Sequence, residues 1–573
     1  GFSLFPWQIY WAPNFPTPGN PTVPSAPDLK PDYYLANFRF MLDWVAQRYN
    51  DLLSAEELDF IQVFYRLEHQ AQCLLVRLSS RKGPLFRRDK LAYTEIESIE
   101  QAAQALVDAG LLQQNQAIDL QTLAGCLTKP ELLSLFGVSL RGFKQARKEQ
   151  LVQTLQTTFI EARSWHEWTQ GQLGAAWYLD NQAIIRHFLL LFFGNAYQDL
   201  TEFVLQDLGV FRYETYIIDS HHRLFTSREE LEVYWLLVKL REELDSCGSP
   251  AELKQLFNKL PGPYNSERLS RRRARFCNQL AYALERAGEQ ELALQIYSQS
   301  HLPPARERRI RLLEKQQAYS QAWQLLTELL SQPLDEQELQ VAQRMAPRIA
   351  KKLAIPFDKK PAVAINHYQC ELARLTDEAG NPLPVEELVR LSLHTEEAPC
   401  FYTENALLGG LFGLWLWPEM FRGIEGAFAN PFQAAPLDLY QENFSQKRAG
   451  LERLWQLLDD DAYQPVILQT WREKQGIANH FVNWNFITEE LLDIALHTIP
   501  AAHLRLIFKR LLFDIKNNRS GLPDLIQFFP AQNRYRMIEV KGPGDRIQDN
   551  QQRWLDYFAR HQIPAEVCYV RWQ

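Results

Sequence analysis

The chain has 573 residues, 46% hydrophobic and 23% charged, with a formal net charge of -8. The apolar fraction excludes long-range disorder and collagen-like repeats, and the length is a prior for roughly three to four domains of about 150 residues. Seven scattered cysteines without a Cys-x-x-Cys pair argue against a disulfide framework or a thiolate zinc site and fit reduced thiols. No run approaches the about 20 apolar residues of a membrane span; residues 406–417 meet Pro418 and Glu419 and read as a buried helix.

In chain order, residues 1–32 form a Pro-rich arm, expected to be flexible and without the basic start of a signal peptide. Residues 33–120 read as helices, with Leu58, Ile61, Phe64 and Tyr65 at helical spacing. One basic stretch, VRLSSRKGPLFRRDK, interrupts them. It reads either as a solvated turn or as a phosphate-gripping surface, because cations along a DNA track release counterions. Whole-chain charge is a poor guide here: residues 501–573 carry 12 Lys/Arg against 7 Asp/Glu, or +5.

Residues 121–160 form the next unit. Thr128 caps a helix with Pro130 in its first turn; Leu132, Leu133 and Phe136 form its apolar face and Gly137 ends it. A second helix turns Leu151, Val152 and Leu155 inward, with Arg141, Lys144, Arg147 and Lys148 around its start. This resembles the SAP module, a helix–loop–helix DNA binder, in which a helix start and cations form a phosphate site. A plain helical hairpin is the competing reading. Residues 161–275 continue as helices. Within residues 276–370, LERAGEQELALQIY and LEKQQAYSQAWQLL align at an offset of 29, matching Leu284 to Leu313, Ala293 to Ala322 and Ile296 to Leu325. That resembles a degenerate TPR array, read here as scaffold and a possible partner surface.

The C-terminal region, 371–573, changes character. An amphipathic helix over 503–518 precedes GLPDLIQFFP and RYRMIEVKGPG, then a helix over 547–560 and the strand AEVCYV. Helix, strand, strand, helix, strand predicts a mixed sheet flanked by helices. Period two in a strand puts Glu539 and Lys541 on one face and Val540 in the core, and Asp524 can lie beside Glu539. Two adjacent carboxylates are costly unless a cation neutralises them; a hard divalent ion with oxygen ligands does so, and an adjacent ammonium suits phosphodiester hydrolysis. A surface salt-bridge ladder is the bland alternative.

The Pro-Asp…Glu-Val-Lys string resembles the PD-(D/E)XK nuclease motif, and the C-terminal stretch resembles its VRR-NUC branch. YTENALLGGLFGLWLWPEMF, FANPFQAAPLDL and FYRLEHQAQCLLVRLSSRKG are similar to segments of the Fanconi-anaemia-associated nuclease family. With the SAP-like and TPR-like units, the resemblance covers nearly the whole chain from Tyr33. It implies a multidomain protein whose N-terminal, SAP-like and TPR-like regions are mostly α-helical, followed by an α/β VRR-NUC domain. It further implies a structure-specific DNA nuclease acting near 5′ flaps and branch points, with 5′-to-3′ exonuclease action, in interstrand crosslink repair, with Mg²⁺ or Mn²⁺. Asp524 and Glu539 would be the strand carboxylates, Lys541 the catalytic lysine, Glu404 a helix-borne carboxylate completing the metal site, and the Val540 carbonyl a further ligand.

The chain departs from animal members of that family. It has no Cys/His ubiquitin-binding finger, which suggests a bacterial, cytoplasmic form acting at the nucleoid, with a nuclear location in a eukaryote. Asn550 stands where animal relatives carry a 5′-phosphate-binding Lys, leaving Lys516 or Arg546 to compensate. The expected DNA contacts are Arg77, Arg81, Lys82, Arg88, Lys144, Arg147, Lys148, Arg546 and Gln551. Branched or flapped DNA is the expected partner, bound by a monomer. The alternatives are a non-catalytic branched-DNA adaptor, a Holliday-junction-resolvase-like nuclease and a restriction-type enzyme.

Overall fold

The computed structural model describes residues 30–81, 83–199, 212–357, 363–377 and 379–573. The described residues divide into two compact units: those within 30–39 and 67–180 form one, and those within 40–66, 181–199 and 212–573 the other.

In the first unit, the helix His69–Ser79 buries Cys73, Leu74, Leu75, Val76 and Leu78. The basic stretch that follows is not simply a turn: Leu85–Arg87 is a strand, β1. With β2 (Leu112–Gln113) and β3 (Ala176–Leu179) it makes an antiparallel sheet in the order β1-β3-β2. Alternating charge hid this strand, because Arg87 points inward. Its guanidinium is buried, chelated by Asp89 at 2.7 Å and Glu131 at 2.8 Å, so the buried cation is paired. The SAP-like unit folds as the helices Leu120–Cys126, Lys129–Leu135 and Lys148–Gln156. Leu132, Phe136, Leu151, Val152 and Leu155 share one core with Trp165 and Trp168. Glu131 accepts from the Thr128 backbone N–H at 2.7 Å, which fixes the first turn around Pro130.

In the second unit, Glu267–Arg286, Gln290–Tyr297, Ala305–Lys315, Tyr319–Ser331 and Glu336–Leu353 are successive helices. Of the repeat positions, Leu284, Ala293, Ile296, Leu313 and Ala322 are buried and Leu325 is half-buried. Small alanines at the crossing points let these helices approach, which is why the 29-residue echo survives in the sequence.

The C-terminal sheet has five strands: β4 (Asn366–Leu372), β5 (Cys400–Tyr402), β6 (Leu525–Phe529), β7 (Arg534–Lys541) and β8 (Ala565–Trp572), in the order β4-β8-β7-β6-β5. β8 runs parallel to β4 and β7, while β6 runs antiparallel to β5 and β7, so the sheet is mixed as expected. One face packs Leu525, Ile538, Val540 and Cys568 beneath the helix Val385–Leu393. The other presents Ile526, Phe528, Tyr535 and Met537 to a large helical insertion between β5 and β6. The centre of that insertion is the helix Leu407–Met420, buried along nearly its whole length. A Cβ on Gly413 would lie 2.7 Å from Phe481 Cβ, so glycine sets the spacing there. No single helix among the described residues is long and apolar enough to cross a membrane.

The expected continuous helix over 503–518 is in fact two, Ala501–Phe513 and Ile515–Asn518. Asp514 breaks it by acting as a cap, accepting from the Asn517 N–H at 3.0 Å. The following helix begins at Asp549 rather than 547.

Candidate metal centre and nuclease site

The register Leu525↔Ile538 and Ile526↔Met537, extended by one residue, sets Asp524 opposite Glu539. Both are buried, Glu539 completely. Asp524 Oδ2 accepts the Val540 backbone N–H at 2.8 Å, which ties the carboxylate to the neighbouring strand. Lys541 Nζ lies 2.7 Å from Glu539 Oε1, an ion pair without hydrogen-bond alignment. Glu539 Oε2 has no hydrogen-bond partner among the described residues. Period two on β7 therefore delivers Glu539 and Lys541 to one side and Val540 to the core, as read from the sequence.

Burial, reinforced by the Glu539 charge, pushes the Asp524 carboxyl up to about 8. Burial also raises Glu539, against the pull of Lys541. Two acids held together away from water cannot both ionise without added positive charge. One buried lysine is not enough for both.

Glu404 reaches this corner through the backbone. The Thr403 and Glu404 N–H groups both donate to the Asp524 carbonyl, at 2.8 and 3.1 Å. Its placement needs one correction: it is not helix-borne. The helix starts at Leu407, and Glu404 stands on the turn before it, exposed. Asn405 stabilises that turn in the left-handed region at φ 54°, and its Oδ1 accepts the Leu522 N–H at 3.1 Å. The Tyr402 hydroxyl donates to Glu404 Oε2. As the side chains stand, no three His, Cys, Asp or Glu among the described residues close into a ready ligand cage. The donor set nonetheless fits a hard divalent ion: carboxylate oxygens, of which both Glu539 oxygens lack a hydrogen bond among the described residues, with exposed Glu404 at the solvent edge. Glu419, a competitor for the third carboxylate, is spent on Arg422 at 2.6 Å.

A fourth acid was missed. Glu386, in the first turn of the helix Val385–Leu393, acts on both Asp524 and Glu539, raising each. An acid in a first helical turn is ordinary dipole chemistry, so its sequence position carried no distinguishing signal.

The expected DNA contacts fare unequally. Lys144 and Arg147 are exposed and Lys148 half-buried at its helix start, with no ion pair among the described residues. Arg77 is committed to Glu95 at 2.6 Å and lies 3.9 Å over the Tyr34 ring; Arg88 pairs with Glu100 at 2.5 Å. Arg81 donates to the Lys90 carbonyl at 3.2 Å. Arg546 is exposed, and Gln551 accepts the Gln548 N–H at 2.9 Å as part of a capping box. Lys82 lies outside the described residues.

A mixed sheet that brings Asp, Glu and Lys together at adjoining strand ends defines a nuclease domain of the PD-(D/E)XK kind. Comparison with known proteins agrees: residues 458–572 match the VRR-NUC domain, 32–113 the FAN1 HTH domain and 117–168 the Fanconi anemia-associated nuclease SAP domain. The Fanconi-associated nuclease 1 homolog of Pseudomonas aeruginosa is 42% identical over 96% of this chain and 97% of its own length. The human Fanconi-associated nuclease 1 is 24% identical over 94% of this chain and 62% of its own. The crystal structure of paFAN1 bound to 2nt 5′ flap DNA with gap superposes with a TM-score of 0.81 at 42% identity, covering 96% of this chain and all of that one. The complex with 1nt 5′ flap DNA gives 0.80 at 41%, covering 95% and 100%. The chain belongs to the Fanconi-associated nuclease family and is a DNA nuclease that uses a divalent metal. The VRR-NUC match begins at 458, whereas the sheet bearing the site begins at Asn366 and includes the Glu404 turn.

Proposed function

We propose that this chain hydrolyses phosphodiester bonds near 5′ flaps and branch points, trims in the 5′-to-3′ sense, and serves interstrand crosslink repair with Mg²⁺ or Mn²⁺. The observation that carries this is the buried Asp524–Glu539 pair beside Lys541, within a chain alike from end to end to a relative crystallised on 5′-flap DNA. Asp524, Glu539, the Val540 carbonyl and Glu404 would hold the cation. When bound, it neutralises the acids and polarises the scissile phosphate. Lys541, positioned by Glu539, points an N–H at a phosphate oxygen or the attacking water and offsets the negative charge that grows in the transition state. Exposed Glu404 sits at the solvent edge, where a DNA strand can arrive.

The SAP-like cations Lys144, Arg147 and Lys148, with Arg546, are the favoured phosphate contacts. Arg77 and Arg88 would have to leave Glu95 and Glu100 to join them. The chain acts as a monomer, with the TPR-like helices open to a protein partner. Asp524→Ala should abolish Mn²⁺-dependent cutting of an end-labelled 5′ flap while gel retardation in EDTA persists. Undiminished cutting would refute the site; a wild-type protein that retards flaps but leaves them intact in Mn²⁺ would be the adaptor instead.

A further inference from the structure

The five-stranded sheet has two unequal edges. β5 is three residues long, and so short an edge resists pairing with another chain. β4 is seven residues, NHYQCEL, and holds no proline, glycine or lysine to blunt it. Among the described residues, no strand or isolated bridge lies along its outer side.

The ladder with β8 fixes which groups that side offers. The Gln573 N–H donates to the Leu372 carbonyl at 3.1 Å, so the backbone of Leu372 faces the β8 side. Backbone groups alternate along a strand, so Tyr368 and Cys370 also face β8, while His367, Gln369 and Glu371 turn their N–H and C=O groups outward. Of these, the Glu371 carbonyl takes one long hydrogen bond, from Gln573 Nε2 at 3.4 Å. Side chains alternate as well. Tyr368, Cys370 and Leu372 lie half-buried at the margin of the core built by Ile538, Val540 and Cys568. His367, Gln369 and Glu371 are exposed. Glu371 has no ion pair among the described residues.

This order of residues complements itself. Turned antiparallel about Gln369, a second β4 sets Gln369 against Gln369, His367 against Glu371 and Tyr368 against Cys370. Every outward-facing residue then meets another outward-facing residue, so each pair can exchange both backbone hydrogen bonds. The acid meets an imidazole, and the half-buried side chains extend one core margin into the other; both kinds of cross-strand neighbour favour pairing. A slip of one residue would set outward backbone groups against groups already spent on β8 and turn the side chains to opposite faces.

We propose that β4 is a docking edge for a second copy of this chain, joined antiparallel about Gln369 in a two-fold pair. A second copy is the occupant because backbone, charge and apolar margin match at one and the same register. The inference does not rest on the proposed function. Asp524 and Glu539 stand at β6 and β7, two strands in from the docking edge, so each protomer keeps a complete centre and one chain remains the cutting unit. A seven-residue strand pair buries less than the about 1,000 Å² of stable interfaces, so the association is weak, with Kd on the order of 10–100 µM.

Sedimentation of the DNA-free full chain from about 1 to about 200 µM tests this range. The wild type should pass from monomer to dimer. Gln369→Pro removes a central outward N–H without touching the β8 ladder, and His367→Glu sets acid against acid; each should weaken the dimer at least about tenfold. His367→Glu/Glu371→His restores the opposite pairing and should restore the dimer. Melting temperature and flap cutting per chain should stay at the wild-type level in the His367 and Glu371 variants, which occupy exposed positions. A wild type that is monomeric throughout leaves the edge to some other occupant and overturns the proposal. A dimer indifferent to Gln369→Pro and His367→Glu lies on another surface and overturns it equally, as does a charge swap that fails to restore pairing.

Discussion

Tyr402 and Lys541 divide the work around the acids differently. Lys541 is buried against Glu539 and supplies charge; Tyr402 supplies direction, since its hydroxyl holds the exposed Glu404 at the mouth. Tyr402→Phe should weaken Mn²⁺ binding about tenfold, because a hydrogen bond to a charged group contributes roughly 1.5–3 kcal/mol. Isothermal titration with Mn²⁺ checks this without reference to cleavage, and an unchanged affinity would deny Tyr402 the role. Lys541→Ala should lower kcat far more than it weakens flap binding. A second residue prediction lies away from the centre. Burial, aided by Arg519, lowers His480 to about 4, so the native state keeps it neutral. Its folded value lies below its unfolded one, so its contribution is present above pH 6.5 and is lost as pH falls towards 4. Acid should remove on the order of 3 kcal/mol through this group, and His480→Gln should flatten the dependence in urea titrations between pH 4 and 6.5.

Among the elements, the segment between the helix Ala501–Phe513 and β6 controls how Asp524 is presented. Asp514 serves two helices: one oxygen accepts the Asn517 N–H, and the other accepts the Glu336 N–H at 2.9 Å at the start of Glu336–Leu353. It thereby joins the TPR-like helices to the nuclease domain. Asp514→Ala should cost about 2–3 kcal/mol by denaturant unfolding, since two helix starts lose an acceptor; a loss below 0.5 would show that water replaces it. Gly521 marks the close approach that follows. It adopts φ +89°, and a Cβ there would meet the Asn550 backbone at 2.7 Å. Strand formers around Glu539-Val540-Lys541 made β7 legible from sequence. The strand β1 was not, because its third residue is an arginine whose buried partners, Asp89 and Glu131, come together only after folding.

For the molecule as a whole, divalent cation should stabilise as well as activate. Asp524 and Glu539 cannot both ionise in their buried site without a cation, so millimolar Mn²⁺ should raise Tm by several degrees, and Asp524→Asn should remove most of that rise. DNA affinity is distributed differently. Lys144→Glu with Arg147→Glu should weaken flap binding and reduce the slope of log K against log salt by about two, as about 0.9 ion is released per phosphate. An unaltered slope would exclude these cations from the DNA track.

Sequence alone determined the local parts of this protein: helical periodicity in the N-terminal and TPR-like regions, the SAP-like capping at Thr128, and the strand carrying Glu539 and Lys541 on one face. Those follow from backbone period and capping, which need no distant partner. Tertiary structure decided which remote groups meet. The antiparallel register of β5 and β6 carries Glu404 to Asp524, 120 positions further along the chain, and the helix Val385–Leu393 adds Glu386. It also decided which cations remain available, because ion pairing consumes Arg77, Arg87 and Arg88, while Lys144 and Arg147 stay exposed with no ion pair among the described residues. Charge can be counted along a chain, but its partners are fixed only by packing.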